Sequence, residues 1–201
     1  MPDFELEIAL WQKGYNLICG VDEAGRGPLA GPVCAAAVIL PEGCQIEGLD
    51  DSKKLTEKKR EALFDEITGA AICYSIAFAQ AEEIEKYNIL EATMLAMKRA
   101  VEGLKIKPDY VLVDGSQTIK NLDLPCGAVI KGDSISCSIA AASILAKVSR
   151  DRLMMKLDKE YPEYNFKQHK GYGTKEHIEL IKKYGPSKIH RKSFLTKIIA
   201  G

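Results

Sequence analysis

The sequence predicts an α/β fold: a mixed five-stranded sheet flanked by helices, with a helical C-terminal portion. Three observations predict it. Five short apolar runs of strand length are bounded by Gly, Pro, Asp or Glu. The first three runs follow one another without a long crossover, whereas the later ones are joined through segments with helical spacing. That order gives antiparallel pairing early and parallel pairing late, with helices packed on the sheet.

Taken in order, residues 3–13 place Phe4, Ile8 and Trp11 at helical spacing before Gly14. Residues 15–21 and 32–40 read as strands, the second closed by Pro41, Glu42 and Gly43. Thr56 is an N-cap for a helix whose apolar face is Leu63, Phe64 and Ile67, ending at Gly69. Residues 71–79 form a third strand. A helix over 82–104 follows, with Ile84, Ile89, Leu90, Met94, Met97 and Val101 on one face, broken at Lys107 and Pro108. Residues 110–113 and 128–130 are short buried strands, the first running into Asp114 and Gly115, the second into Lys131, Gly132 and Asp133. A long helix over 134–161 is lined by Ile135, Ile139, Ala142, Leu145, Val148 and Leu153. A shorter one spans 174–184, closed by Gly185 and Pro186.

Composition bounds the function. With 201 residues, 46% apolar and 28% charged, the chain suffices for one domain over residues 1–201 with a full core. Lys+Arg and Asp+Glu both total 28, so net charge argues for no partner. Residues 161–201, however, hold nine Lys/Arg against three Asp/Glu, which places a basic surface late in the chain and an acidic site in its body. His169, Lys170, Lys188, His190, Arg191 and Lys192 form a local basic set, either phosphate contacts or a solvated face. None of the six cysteines forms a C-x-x-C pair, so a structural zinc site is not expected. They read as small buried hydrophobes in a reducing cytoplasm. The first ten residues do not resemble a signal peptide, and no run approaches the ~20 apolar residues of a membrane span. Trp11 and the methionines at helical spacing read as core. A monomer is the default, with no obligate protein partner and too degenerate a pattern in residues 193–199 for a sliding-clamp motif.

The chemistry sits at the strand ends, where α/β sheets gather it. Asp22 and Glu23 follow an apolar strand and precede Gly25, Arg26 and Gly27. Neighbouring side chains on a strand point to opposite faces, so the two acids converge only if the chain bends there. The glycines permit close approach of a ligand to backbone N–H groups. Asp114 reads either as a site acid or as a turn residue before Gly115. Asp133 reads either as a site acid or as the cap of the helix starting at Ser134. Four acids at strand ends make a hard-oxygen site suited to Mg2+ or Mn2+, and two such ions about 4 Å apart can serve phosphodiester cleavage.

The segment from Gly20 through Asp22, Glu23, Gly25, Arg26 and Gly27 to Val33 resembles the signature of the type 2 ribonuclease H family. The resemblance continues through Asp51, Ser52, Lys53, Lys54 and Leu55, through Val113, Asp114 and Gly115, and through Lys131, Gly132, Asp133 and Ser134. It extends through Ile139 to Val148, then His169 to Thr174, and reaches about Phe194. It implies a ribonuclease H-like fold in which residues 161–201 are a helical substrate-binding portion. It implies hydrolysis of the RNA strand of RNA–DNA hybrids, and cleavage on the 5′ side of ribonucleotides in duplex DNA that leaves 3′-hydroxyl and 5′-phosphate ends, as in ribonucleotide removal. Asp22, Glu23, Asp114 and Asp133 are then the catalytic metal-binding acids. Gly25, Arg26 and Gly27 sense the ribose 2′-hydroxyl, which distinguishes RNA from DNA. Tyr172, which reads as an exposed platform between two glycines, stacks on the deoxyribose beyond the junction, and Lys53 is a phosphate ligand. Arg26 favours type 2 over type 3, and the short C-terminus resembles bacterial members. Two other classes stay open on the residues alone: a nucleotide-binding phosphotransferase on the same fold, although no Walker-type phosphate loop is present, and a hybrid-binding module without activity.

Overall fold

The computed structural model describes residues 1–199. Ala200 and Gly201, the last two of the expected 1–201 domain, lie outside the described residues. Five strands, β1 (Ile18–Ala24), β2 (Val33–Ile39), β3 (Cys73–Ala79), β4 (Tyr110–Asp114) and β5 (Cys126–Val129), form one sheet in the order β3-β2-β1-β4-β5. β2 runs antiparallel to β1 and β3, whereas β4 runs parallel to β1 and β5 to β4. The predicted change from antiparallel to parallel therefore falls at β1, the central strand. One connection differs from expectation: helix α2 (Glu57–Ala70) lies between β2 and β3. Its first turn is capped as predicted, the Thr56 side chain accepting from the Lys59 N–H.

All seven residues of β2 are buried, so its alternation serves two cores. Val33, Ala35, Ala37 and Ile39 face α3 (Ala81–Glu102) and meet Ile84, Ala92, Ala96 and Met97. Cys34, Ala36 and Val38 face α2 and α4 (Cys137–Glu160) and meet Leu63, Ile67 and Ala140 to Ala142. Small residues let α4 approach closely. A Cβ built on Gly20 of β1 lies 2.1 Å from the Ser138 carbonyl carbon, so the α4 backbone rests directly on the central strand. Asp22, two residues on, shares that face. All six cysteines are free, and burial pushes the thiols of Cys19 and Cys34 well up in pKa.

Two helices depart from their predicted form. α3 is interrupted at Asn88, whose φ is 67°, and the Asn88 Oδ1 accepts from the N–H groups of Leu90 and Glu91. With ψ at 168° the Asn88 backbone is extended rather than helical, and its side chain caps the turn that follows, so the apolar periodicity is continuous while the backbone restarts. The helix predicted from residue 134 begins later. Gly132–Ser134 form a 3-10 turn, Ser136 caps α4 by accepting from the Ile139 N–H at 3.2 Å, and Ile135 is exposed. Asp133 therefore sits in a turn, neither ending β5 nor capping α4.

Helix α1 (Glu5–Trp11) clamps that end of α4. The buried Glu7 Oε1 accepts from the Ser136 hydroxyl at 2.6 Å and the Ser138 N–H at 3.0 Å, placing a carboxylate where the helix dipole is positive. At the other end, α5 (Phe166–His169), α6 (Lys175–Tyr184) and α7 (Lys192–Ile199) form the expected helical C-terminal portion, although only α6 was legible in the sequence. Their core joins Tyr164, Phe166, Ile181 and Leu195 to Met154 of α4 and to Ala30, just after β1. The C-terminal portion is thereby fixed against the loop that leaves the central strand.

Candidate active site

Parallel pairing puts Val21 opposite Val113, so Asp22 and Asp114 emerge side by side at the carboxyl ends of β1 and β4. Asp22 points toward α4, where the Ser143 hydroxyl favours its charged form. Ser143 also lies 2.9 Å from the buried Ser52 hydroxyl, which fixes the segment presenting Lys53. Glu23, on the opposite face, lines a pocket of about 240 Å3 with Asp114, Arg26 and the Leu90 to Met97 stretch of α3. Despite the alternation, one oxygen each from Asp22, Glu23 and Asp114 lies within 4.8 Å of the others. Asp114 is held by the Gly132 N–H, which donates to its Oδ1 at 2.6 Å. The same turn carries Asp133, which stands outside the tight triplet and meets the Lys53 ammonium at 3.5 Å.

These acids oppose one another. Burial, then the charges of Glu23 and Asp114, raise the Asp22 pKa well above the usual carboxylate range. Burial and Asp114 raise that of Glu23, against the pull of Arg26. Burial, Asp51 and Asp114 raise that of Asp133, against Lys53. A triplet of buried or half-buried carboxylates whose charges disfavour one another, with only oxygen donors, fits a hard divalent cation, whose charge removes the penalty.

The Gly25-Arg26-Gly27 loop is built from beneath by two buried arginines. Arg191 donates from Nε to the Gly31 carbonyl at 3.0 Å, from NH1 to the Arg26 carbonyl at 2.8 Å and from NH2 to the Gly25 carbonyl at 2.6 Å. Arg150 donates to the carbonyls of Pro32, Lys170 and Ala30 at 3.0, 3.0 and 3.1 Å. In a trans peptide the C=O and the following N–H point oppositely. Drawing the Gly25 and Arg26 carbonyls inward therefore turns the N–H groups of Arg26 and Gly27 outward, and among the described residues neither has an acceptor. Gly25 has a φ of +96°, and a Cβ there lies 2.0 Å from the Arg150 Nε, so the position admits only glycine. The Arg26 side chain is exposed and reaches Glu23 at 3.4 Å.

Tyr172 is 42% exposed and borders this loop: a Cβ built on Gly27 lies 3.8 Å from its Cε1. The Lys147 ammonium and the Arg150 guanidinium lie 5.8 and 5.9 Å from its ring centroid. The expected exposure of Tyr172 is thus found. The basic set is corrected. His169, His190 and Arg191 are buried, and burial holds the His190 imidazole down at about 4, so these three cannot form a cationic phosphate-binding face. Lys188 and Lys192 do lie exposed. Two roles escaped the sequence reading. In sequence Arg191 resembles surface charge, and the signal for Arg150 is that Ala142, Ala146 and Met154 share its stripe at four-residue spacing. A charge on a buried stripe is the signal that a polar partner must exist.

A mixed sheet of this order, with carboxylates gathered at the ends of its central parallel pair, defines an enzyme of the ribonuclease H class. The family model described as Ribonuclease HII matches residues 19–197. A Ribonuclease HII of Caldicellulosiruptor bescii is 59% identical over 197 residues, covering 98% of this chain and 95% of the relative. The crystal structure of ribonuclease H2 from Pyrococcus horikoshii matches with a TM-score of 0.75 at 31% identity, covering 92% of this chain and 97% of that one. A second structure, a PCNA:RNase HII complex from Archaeoglobus fulgidus, matches with a TM-score of 0.72 at 26% identity, covering 87% and 93%. The chain belongs to the ribonuclease HII family. That membership sets aside the phosphotransferase and the inactive binding module. No described helix is long and apolar enough to cross a membrane.

Proposed function

We propose that this chain hydrolyses the RNA strand of RNA–DNA hybrids and cuts duplex DNA on the 5′ side of an embedded ribonucleotide, as ribonucleotide removal requires. The observation that carries the proposal is the convergence of Asp22, Glu23 and Asp114 within 4.8 Å, beside a loop whose N–H groups face outward. Asp22, Glu23, Asp114 and Asp133 would hold divalent ions, Mg2+ or Mn2+, which supply activation of water and stabilisation of the departing oxygen. The Arg26 and Gly27 N–H groups bind the ribose 2′-hydroxyl and the adjoining phosphate, a test that a deoxyribose fails. Tyr172 stacks on the sugar that follows. Lys53, paired with Asp133, holds a phosphate oxygen while keeping that acid in place, and exposed lysines of residues 161–199 bind the duplex backbone. Hydrolysis adds water across the bond between phosphorus and the preceding 3′-oxygen, giving 3′-hydroxyl and 5′-phosphate ends.

The test is cleavage of a labelled DNA duplex containing one ribonucleotide, with Mg2+, with Mn2+ and with chelator. The expected result is a metal-dependent cut 5′ to the ribonucleotide. Folded protein that cuts long hybrids but leaves this duplex whole overturns the embedded-ribonucleotide reading. Failure on both substrates with either metal overturns the whole proposal.

A further inference from the structure

The chain contains three histidines, and all three converge beneath Tyr172. Their protonation follows from their partners. The Ser187 N–H can only donate, and it points at the His190 Nδ1 at 2.9 Å, so that nitrogen is an acceptor and the His190 proton resides on Nε2. The His190 Nε2 faces the His177 Nε2 at 3.1 Å, which must therefore accept. The His177 proton is then on Nδ1, 2.8 Å from the Tyr172 carbonyl. The third ring obeys the same logic. The His169 Nδ1 accepts from the Gly171 N–H at 3.2 Å, and its Nε2 donates to the Tyr164 carbonyl at 2.9 Å. His169 stacks on His177 with centroids 4.3 Å apart and ring planes 18° apart. All three imidazoles are buried and neutral, which burial enforces.

We infer that His190 and His177 form a one-way hydrogen-bond relay, from the Ser187 amide to the Tyr172 carbonyl, that acts with His169 as a set of positioning residues for Tyr172. The peptide segment carrying the ring is gripped on both sides, at the Gly171 N–H and at the Tyr172 carbonyl. Gly171 has a φ of +85°, and a Cβ there lies 2.6 Å from the Ala30 carbonyl oxygen, so the segment has no freedom to relax toward the loop. Neutral donors and acceptors hold it, and a charge on one ring would repel its stacked or bonded neighbour. The inference rests on the reading of Tyr172 as a substrate contact and deepens it.

The test is a double-mutant cycle on cleavage of the duplex with one ribonucleotide. His177→Leu removes the donor, His177→Asn keeps an N–H near the Nδ1 position, and Tyr172→Ala removes the ring. Expected are a rise in KM of about tenfold for His177→Leu with kcat little changed, recovery to about twofold in His177→Asn, and no further loss when His177→Leu is added to Tyr172→Ala. Additive losses overturn the relay and leave the Tyr172 contact standing. An unchanged KM in Tyr172→Ala overturns the contact and the inference with it. Should His177→Leu fail to fold, imidazole 15N shifts of the wild-type protein decide: a bare Nε2 on His177 with a protonated Nε2 on His190 supports the relay, and the reverse tautomers overturn it.

Discussion

The buried guanidinium of Arg191 holds the main-chain carbonyl of the exposed Arg26 at 2.8 Å, so a residue of the C-terminal portion shapes the loop that follows the central strand. The hydrogen bond spans 165 residues of sequence, and its neighbours at Gly25 and Gly31 complete a three-pronged grip. Arg191→Met leaves three carbonyls without donors. Stability should fall by about 3 kcal/mol or more in urea unfolding, and kcat/KM on the single-ribonucleotide duplex by about tenfold or more. Arg191→Lys, which restores charge but not the fork, should recover stability better than activity. Wild-type kcat/KM in either variant would show that the loop holds its shape without the grip.

Asp114→Asn separates chemistry from folding. An asparagine Oδ1 still accepts from the Gly132 N–H, so the turn bearing Asp133 keeps its anchor. The change removes one of the charges that raise the Asp22 and Glu23 pKa values. In chelator the variant should melt at or above the wild-type temperature, while its cleavage rate with Mg2+ falls by at least about a hundredfold. A divalent ion at about 100 times its Kd should add about 2.7 kcal/mol to the wild-type protein, and less to the variant. Full activity in folded Asp114→Asn would remove this acid from the mechanism.

Close packing of α4 on β1 gives a sharper stability test. Gly20→Ala brings a methyl to 2.1 Å from the α4 backbone, which no rotamer can relieve. The helix must move away, carrying Ser143 from Asp22. The cost should be about 3 kcal/mol, with activity reduced even at temperatures where the variant is folded. A Gly20→Ala protein with unaltered melting temperature would contradict the packing described.

Much of this arrangement was legible in sequence because local signals agreed with the fold. Thr56 announced its cap, β2 announced a strand by its unbroken apolar run, and the four acids stood at the ends of apolar runs. What was hidden depends on contacts distant in sequence. Asp133 follows a strand-like run, yet the 3-10 turn that places it is fixed by Asp114 and by the clamp of Glu7 on α4. Asn88 interrupts a helix whose apolar periodicity shows no interruption. Arg191 and the histidines look like surface charge in a basic stretch, because sequence shows their ionisable groups but not the carbonyls and rings that bury them. Leu195, within the stretch considered for a sliding-clamp motif, is fully buried in the C-terminal core.

Acid should loosen the C-terminal portion through those histidines. Burial, opposed by the Tyr172 carbonyl and aided by His169, depresses the His177 pKa from 6.5 to about 4. Burial, His177 and His169 do the same for His190. The surrounding charges are Glu176 beside His177, and Glu176, Asp158 and Lys170 around His169. With the folded pKa below the unfolded one, the unfolded chain binds more protons between about pH 4 and 6.5. Stability is therefore full above that window and is lost as pH falls through it, by at most about 3 kcal/mol per ring. The raised pKa values of Asp22, Glu23 and Asp133 act in the opposite sense: their protonation favours the folded state as pH falls. The two effects separate in a difference measurement, because His177→Asn removes one titrating ring and leaves the acids untouched. Urea unfolding at pH 7, 6, 5 and 4.5 should show the wild-type protein losing more stability than His177→Asn across the window. Parallel curves for the two proteins would mean that His177 carries its proton in the folded state much as it does in the unfolded chain, and the neutral ring beneath Tyr172 would have to be abandoned.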